Sequence, residues 1–143
     1  MASMKQAAPP LEDAKIPVKI KLSALWASLM LCFVYGDYFG LYVPGKLGNM
    51  IDGRMGPLGA VTQNVLVGTS IMMAIPALMV FLSLVMKPAI SRWVNALLGL
   101  AYAAIMVLTM PGAWRFYQLL GVVEILLCLA IVGFALKWPR QPL

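Results

Sequence analysis

Hydrophobic residues are gathered along this chain into four long runs that are separated by shorter polar segments. An α-helix needs about 20 apolar residues to cross a hydrocarbon core about 30 Å thick, and each run approaches or exceeds that length. The pattern therefore predicts four membrane-spanning helices, at about residues 22–43, 60–86, 93–110 and 115–136.

Two of the connections between these runs are short. The segments 87–92 and 110–114 each contain a proline that cannot continue a helix, together with a charge or a tryptophan suited to the membrane surface. Short turns make consecutive long helices antiparallel neighbours. We therefore predict an all-α, integral membrane, up-down-up-down four-helix bundle.

The remaining segments complete the predicted domain organisation. A polar N-terminal segment, 1–21, precedes the transmembrane domain, 22–137, and a short tail, 138–143, follows it. The connection 44–59 contains five glycines and two prolines. We interpret it as an external loop with a short helical turn at 47–51, and the alternative is a lid over the mouth of the bundle.

The distribution of lysine and arginine predicts the orientation. Eight of the eleven fall at the two termini and in the 87–92 turn, whereas Lys46, Arg54 and Arg115 fall on the other side. Because cytoplasmic segments are richer in these residues, both termini are expected in the cytoplasm of a bacterial cell, with the chain in its inner membrane. Trp26 is then expected at the inner membrane surface.

Composition narrows the class of protein further. Hydrophobic residues make up 62% of the chain and charged residues only 11%, against about 25% charged in an ordinary soluble domain. A soluble monomer and a nucleic-acid module are excluded despite the net charge of +6. The chain has no histidine, and Cys32 and Cys128 lie apart inside apolar runs, so we predict free thiols that pack in helices, with no metal and no cofactor.

Two acidic residues lie inside the hydrophobic runs. Asp37 is six residues before the end of the first run, about 9 Å below that end, and Glu124 is nine residues into the fourth, about 14 Å deep. An ionised carboxylate at such a depth costs several kcal/mol unless it is paired, hydrated or protonated. We therefore expect both acids to face the interior of the bundle.

Other polar side chains fall at a comparable level, so that all four helices contribute to one layer. We predict a polar pocket in the outer half of the bundle, formed by Asp37, Thr69, Ser70, Tyr102, Tyr117 and Glu124. In the alternative interpretation the acids are structural. Asp37 then reaches water and a surface cation, while Glu124 bonds Tyr102 or Thr69 to fix the helix packing.

The run VKIKLSALWASLMLCFVYGDYFGLYVPGK (18–46) and the segment LKWPRQ (136–141) resemble an uncharacterised family of small bacterial four-span membrane proteins. The resemblance covers about residues 12–141 and is most specific at 36–39 and 138–141. It implies a four-helix membrane fold and brings no established activity or ligand. In architecture the chain is also similar to the DoxX-like four-helix membrane proteins, by fold-level analogy alone.

Three functions fit these observations. In the first, Asp37 and Glu124 receive a small cationic or amphipathic ligand, or a proton, in a binding or transport module; a homodimer would help to enclose a transport pathway. In the second, the protein is a structural or accessory subunit of a larger membrane complex. In the third, the protein is an isomerase or cyclase acting on a lipid-like substrate, with Glu124 as general acid and Asp37 stabilising a developing cation. No motif identifies a reaction, so the first interpretation is preferred. The lipid bilayer is the expected partner, and nucleic acid is not.

Overall fold

The computed structural model describes residue 11 and residues 13–139. Part of the predicted orientation and of the family resemblance depends on three residues that lie outside the described residues: Lys5, Arg140 and Gln141. Within the described range the helices are α1 (Val18–Gly40), α2 (Lys46–Ile51), α3 (Gln63–Val85), α4 (Pro88–Thr109) and α5 (Arg115–Leu136). All but the short α2 are long and apolar enough to span a membrane, so the predicted all-α fold with four spans is confirmed.

The four long helices form an antiparallel bundle. α4 packs along α5, α5 against α1, and α1 against α3, whereas α3 touches α4 over a much smaller area. We call the end that carries the connection 41–62 and the turn 110–114 the loop end, and the opposite end the termini end. α3 and α4 are therefore the least closely packed pair of consecutive spanning helices.

Two helices begin earlier than the sequence predicted, and both differences lie at the termini end. α1 starts at Val18, not near 22, because the Lys19 ammonium donates hydrogen bonds to the carbonyl oxygens of Leu84 (3.0 Å) and Met86 (2.8 Å) at the end of α3. A lysine with these partners can lie inside a helix. α1 also ends at Gly40, three residues earlier than predicted.

The predicted turn at 87–92 is wrong in extent. α4 begins at Pro88, so only Met86 and Lys87 separate it from α3. Proline suits the first position of a helix, where its missing N–H is not needed and its fixed φ is already helical. The proline at this turn therefore starts the next helix and does not end the previous one.

Glycine sets the closest approach between helices. A Cβ built on Gly99 of α4 would lie 2.9 Å from Cγ2 of Val132 and 3.2 Å from the carbonyl oxygen of Cys128, both on α5. The first distance is shorter than real Cβ contacts and the second is tighter than most of them, so α4 and α5 meet at a spacing that favours glycine. Cys128 is buried at this contact, and both cysteines are free thiols, as predicted.

A buried polar cluster joins α1, α3 and α4 in the half of the bundle nearer the termini end. Oδ1 of Asn95 accepts hydrogen bonds from Nε1 of Trp26 (2.7 Å) and Oγ of Ser83 (3.0 Å). The Asn95 amide donates to the carbonyl oxygen (2.8 Å) and Oγ (3.1 Å) of Ser91. Trp26 is 0% exposed, so its expected place at the membrane surface is wrong: its N–H finds a partner inside the bundle.

Candidate functional site

A cavity of about 430 Å³ lies in the half of the bundle nearer the loop end. All four spanning helices contribute to its wall, and so does the connection 41–62. The residues that the sequence analysis assigned to one polar pocket all line it: Asp37, Thr69, Ser70, Tyr102, Tyr117 and Glu124. The helices therefore bring these six side chains together around a single space.

Glu124 is the most buried acidic residue of this cavity, with an exposed fraction of only 4%. It projects from α5 on the same buried face as Gly121 and Cys128. Within the described part of the chain, no hydrogen bond or ion pair holds its carboxylate, which lines the cavity instead. A charged group in such surroundings requires a cation, a proton or hydration from outside the protein chain.

Asp37 lines the same cavity but stays exposed at its mouth. Because α1 ends at Gly40, Asp37 is only three residues, about 4.5 Å, below the end of its helix, nearer the surface than the sequence predicted. One acid thus lies at the entrance of the cavity and the other at depth.

The alternative partners expected for Glu124 are engaged elsewhere. The Thr69 hydroxyl donates within its own helix, to the carbonyl oxygens of Val65 (3.1 Å) and Leu66 (3.0 Å). The Tyr102 hydroxyl donates to the carbonyl oxygen of Met72. Neither hydroxyl donates a hydrogen bond to Glu124 in the described structure.

The hydrogen bond of Tyr102 follows from a proline. Pro76 lies inside α3 and has no N–H to donate to the carbonyl of Met72, four residues earlier. The Tyr102 hydroxyl of α4 supplies the missing donor across the interface. Its ring meets that of Trp26 edge to face, with centroids 6.0 Å apart. Tyr102 thus lines the cavity while it completes the backbone of α3.

The connection 41–62 folds over the mouth of the cavity. The helical turn predicted at 47–51 is present as α2, and a single turn of 3-10 helix, Gly56–Leu58, follows it. Met55 and Leu58 of this segment line the cavity. Gly59 adopts a φ of 77°, which side chains rarely tolerate, and its carbonyl accepts a hydrogen bond from the N–H of Met55 (2.8 Å). The segment therefore contributes part of the cavity wall at the loop end.

The apolar wall was not predicted. It is made mainly of Phe33, Met72, Met73, Ile105 and Met106. One signal was available in the sequence, because Tyr102, Met106 and Thr109 follow one another at helical spacing on a single face of α4, and all three line the cavity. In the described part of the chain no three His, Cys, Asp or Glu side chains gather as metal ligands do.

The fold and its cavity define a small four-span membrane protein of the helical-bundle class. The chain matches the family described as "Family of unknown function (DUF6326)" over residues 14–143, and it belongs to that family. The resemblance drawn from the sequence is thereby confirmed, whereas the DoxX-like analogy gains no support. No protein of curated function and no solved structure matches the chain.

Proposed function

We propose that this protein is a membrane binding or transport module, whose cavity takes a small cationic or amphipathic ligand, or a proton, at Glu124. One observation carries the proposal: Glu124, a residue with an exposed fraction of 4%, lines an otherwise mostly apolar cavity, and its carboxylate has no hydrogen-bond or ion-pair partner in the described chain. Burying an unpaired charge costs free energy. A ligand that neutralises the charge recovers much of that free energy when it binds.

The size and walls of the cavity suit a small organic cation. Its volume of about 430 Å³ falls within the range of about 300–1,000 Å³ that is usual for small-molecule sites. Met72, Met73 and Met106 offer flexible, polarisable side chains that adapt to the apolar part of a ligand. An ammonium group would lie between Glu124 and Asp37.

The orientation proposed with this function follows from the charge count. In the sequence, eight lysines and arginines lie in the two terminal segments and the 87–92 turn, against three at 46, 54 and 115, and this difference favours a termini end in the cytoplasm. The cavity would then open toward the outside of a bacterial inner membrane, beneath the connection 41–62. Transport, as distinct from binding, would also require a pathway toward the termini end, which a homodimer could provide.

The two alternatives predict different behaviour. An accessory subunit would use Glu124 to hold helices together. However, the hydroxyls of Thr69 and Tyr102, which were expected to bond Glu124, donate to backbone carbonyl oxygens instead. An isomerase or cyclase would need a substrate cation beside Asp37, and it would turn over a lipid-like substrate. Binding without turnover therefore distinguishes the proposed module from the enzyme.

Isothermal titration of 2-phenylethylamine into the protein, held in phosphatidylcholine nanodiscs, tests the proposal. We expect Glu124→Gln to weaken binding at least tenfold while the bundle stays folded, because the amide keeps the volume and loses the charge. Asp52→Asn is the matched control, since Asp52 is exposed on the loop and lines no cavity described above. Equal affinity in the wild type and Glu124→Gln would refute the proposal.

A further inference from the structure

A second space adjoins the mouth of the cavity. This vestibule, of about 470 Å³, lies beneath α2 and the 3-10 turn. It shares Asp37, Met55, Leu58 and Tyr117 with the cavity described above, so the two spaces adjoin at these residues. A molecule that occupies the cavity from the loop end can extend into the vestibule.

The charge of the vestibule is opposite to that of the cavity. Lys46 and Arg54 line it together with the amide of Asn49. In the described part of the chain neither cation forms an ion pair. The backbone holds Arg54 in place, because its N–H donates to the carbonyl of Asn49 (2.8 Å) and it forms a β-bridge with Ala60.

The Lys46 ammonium lies beside the acidic entrance. A Cβ built on Gly40 would be 3.8 Å from Nζ of Lys46. Gly40 follows Asp37 by three residues, so both lie on one face of α1. The site therefore presents carboxylates inside, at Glu124 and Asp37, and cations immediately outside them, at Lys46 and Arg54.

We infer that the ligand of this site is a dipolar amphiphile, in which an ammonium and an anionic group are joined next to an apolar group. This inference rests on the proposed function and narrows its ligand. A simple cation would be repelled by Lys46 and Arg54 as it entered, whereas a dipolar molecule would be attracted at both ends. The ammonium lies between Asp37 and Glu124, the anionic group meets Lys46 and Arg54, and the apolar group packs against the methionines.

Two sources could supply this chemistry: a free apolar α-amino acid, or the headgroup of an amine-bearing phospholipid. Three matched probes test the shared chemistry by isothermal titration in phosphatidylcholine nanodiscs. L-phenylalanine carries both charges, 2-phenylethylamine lacks the carboxylate, and 3-phenylpropionate lacks the amine. We expect the wild type to bind phenylalanine at least tenfold more tightly than either of the other two.

Variants locate the two charges. Lys46→Gln combined with Arg54→Gln should weaken phenylalanine binding about tenfold, while the affinity for 2-phenylethylamine does not fall. Arg115→Gln is the matched control, because this exposed cation at the loop end lines neither space and should leave all affinities unchanged. Both results would support a dipolar ligand.

The source of the ligand is resolved by the lipid composition of the nanodisc. If phosphatidylethanolamine competes with phenylalanine, a lipid headgroup can occupy the site; if it does not, the free amino acid is the better ligand. The inference is overturned if 2-phenylethylamine binds as tightly as phenylalanine, even when Glu124→Gln weakens both. If Glu124→Gln weakens neither, the proposed function itself fails, so the two failures are distinguishable.

Discussion

Replacing Tyr102 with phenylalanine removes the one donor that serves the carbonyl of Met72. The change deletes a single hydroxyl and keeps the ring, which packs edge to face against Trp26 at 6.0 Å. The effect on the free energy of unfolding therefore reports the hydrogen bond alone. Because Pro76 has no N–H, α3 lacks the donor that would normally serve this carbonyl four residues earlier.

The structure sets the size of this effect. A typical intramolecular hydrogen bond contributes about 1 kcal/mol, and leaving a buried acceptor unpaired costs about 1–3 kcal/mol. Side-chain hydrogen bonds measured inside membrane proteins average about 0.6 kcal/mol and reach about 1.7 kcal/mol. We expect Tyr102→Phe to lower the free energy of unfolding by about 1–2 kcal/mol, near the upper part of the membrane range.

A double-mutant cycle with Pro76→Ala isolates the cause. Alanine at this position supplies the N–H that α3 lacks, so Tyr102→Phe in the Pro76→Ala background should cost less than about 0.5 kcal/mol. Unfolding by a denaturing detergent in mixed micelles, followed by helical circular dichroism, measures all four proteins. Tyr117→Phe is the control, because the Tyr117 hydroxyl donates no hydrogen bond within the described chain. An equal cost of Tyr102→Phe in both backgrounds would refute the reasoning.

Three further predictions follow from the packing and the charge pattern. Gly99→Ala should destabilise the bundle by about 1–3 kcal/mol in the same assay, because its Cβ overlaps α5, whereas Gly133→Ala, with open space around it, should not. Asn95→Leu should cost at least about 2 kcal/mol, since Trp26 and two serines lose their partner; a change below 0.5 kcal/mol would contradict the role given to this cluster. A cysteine placed at Asn49 in a cysteine-free variant should react with an impermeant reagent from outside intact cells, and labelling only from inside would reverse the proposed orientation.

Hydropathy alone was enough to predict the architecture. A backbone surrounded by lipid must satisfy its hydrogen bonds within the segment, so about 20 consecutive apolar residues can only become a helix. α5 has the predicted bounds, 115–136, because Arg115 and Lys137 bracket it with charges. The short connections then predicted that consecutive spanning helices run antiparallel, and the helices of the bundle do so.

Approximate depths of the candidate site residues could also be estimated from the sequence. Polar residues are rare in the runs, so the positions of Glu124, Thr69 and Tyr102 could be compared by counting residues from the helix ends. The count was less accurate for Asp37, because the end of α1 depends on the turn that follows Gly40. Depth along a helix is thus readable from the sequence to within about one helical turn.

The pairing of side chains was decided only by the tertiary structure. Three hydrogen bonds join residues on different helices: Lys19 with the end of α3, Trp26 with Asn95, and the Tyr102 hydroxyl with Met72. In a soluble protein the apolar face of a helix shows which side is buried, but in a membrane the lipid-facing and protein-facing sides are similarly apolar. The sequence therefore determined which segments span the membrane and how deep their polar groups lie, whereas the rotation of each helix, and with it every partner, was set by packing.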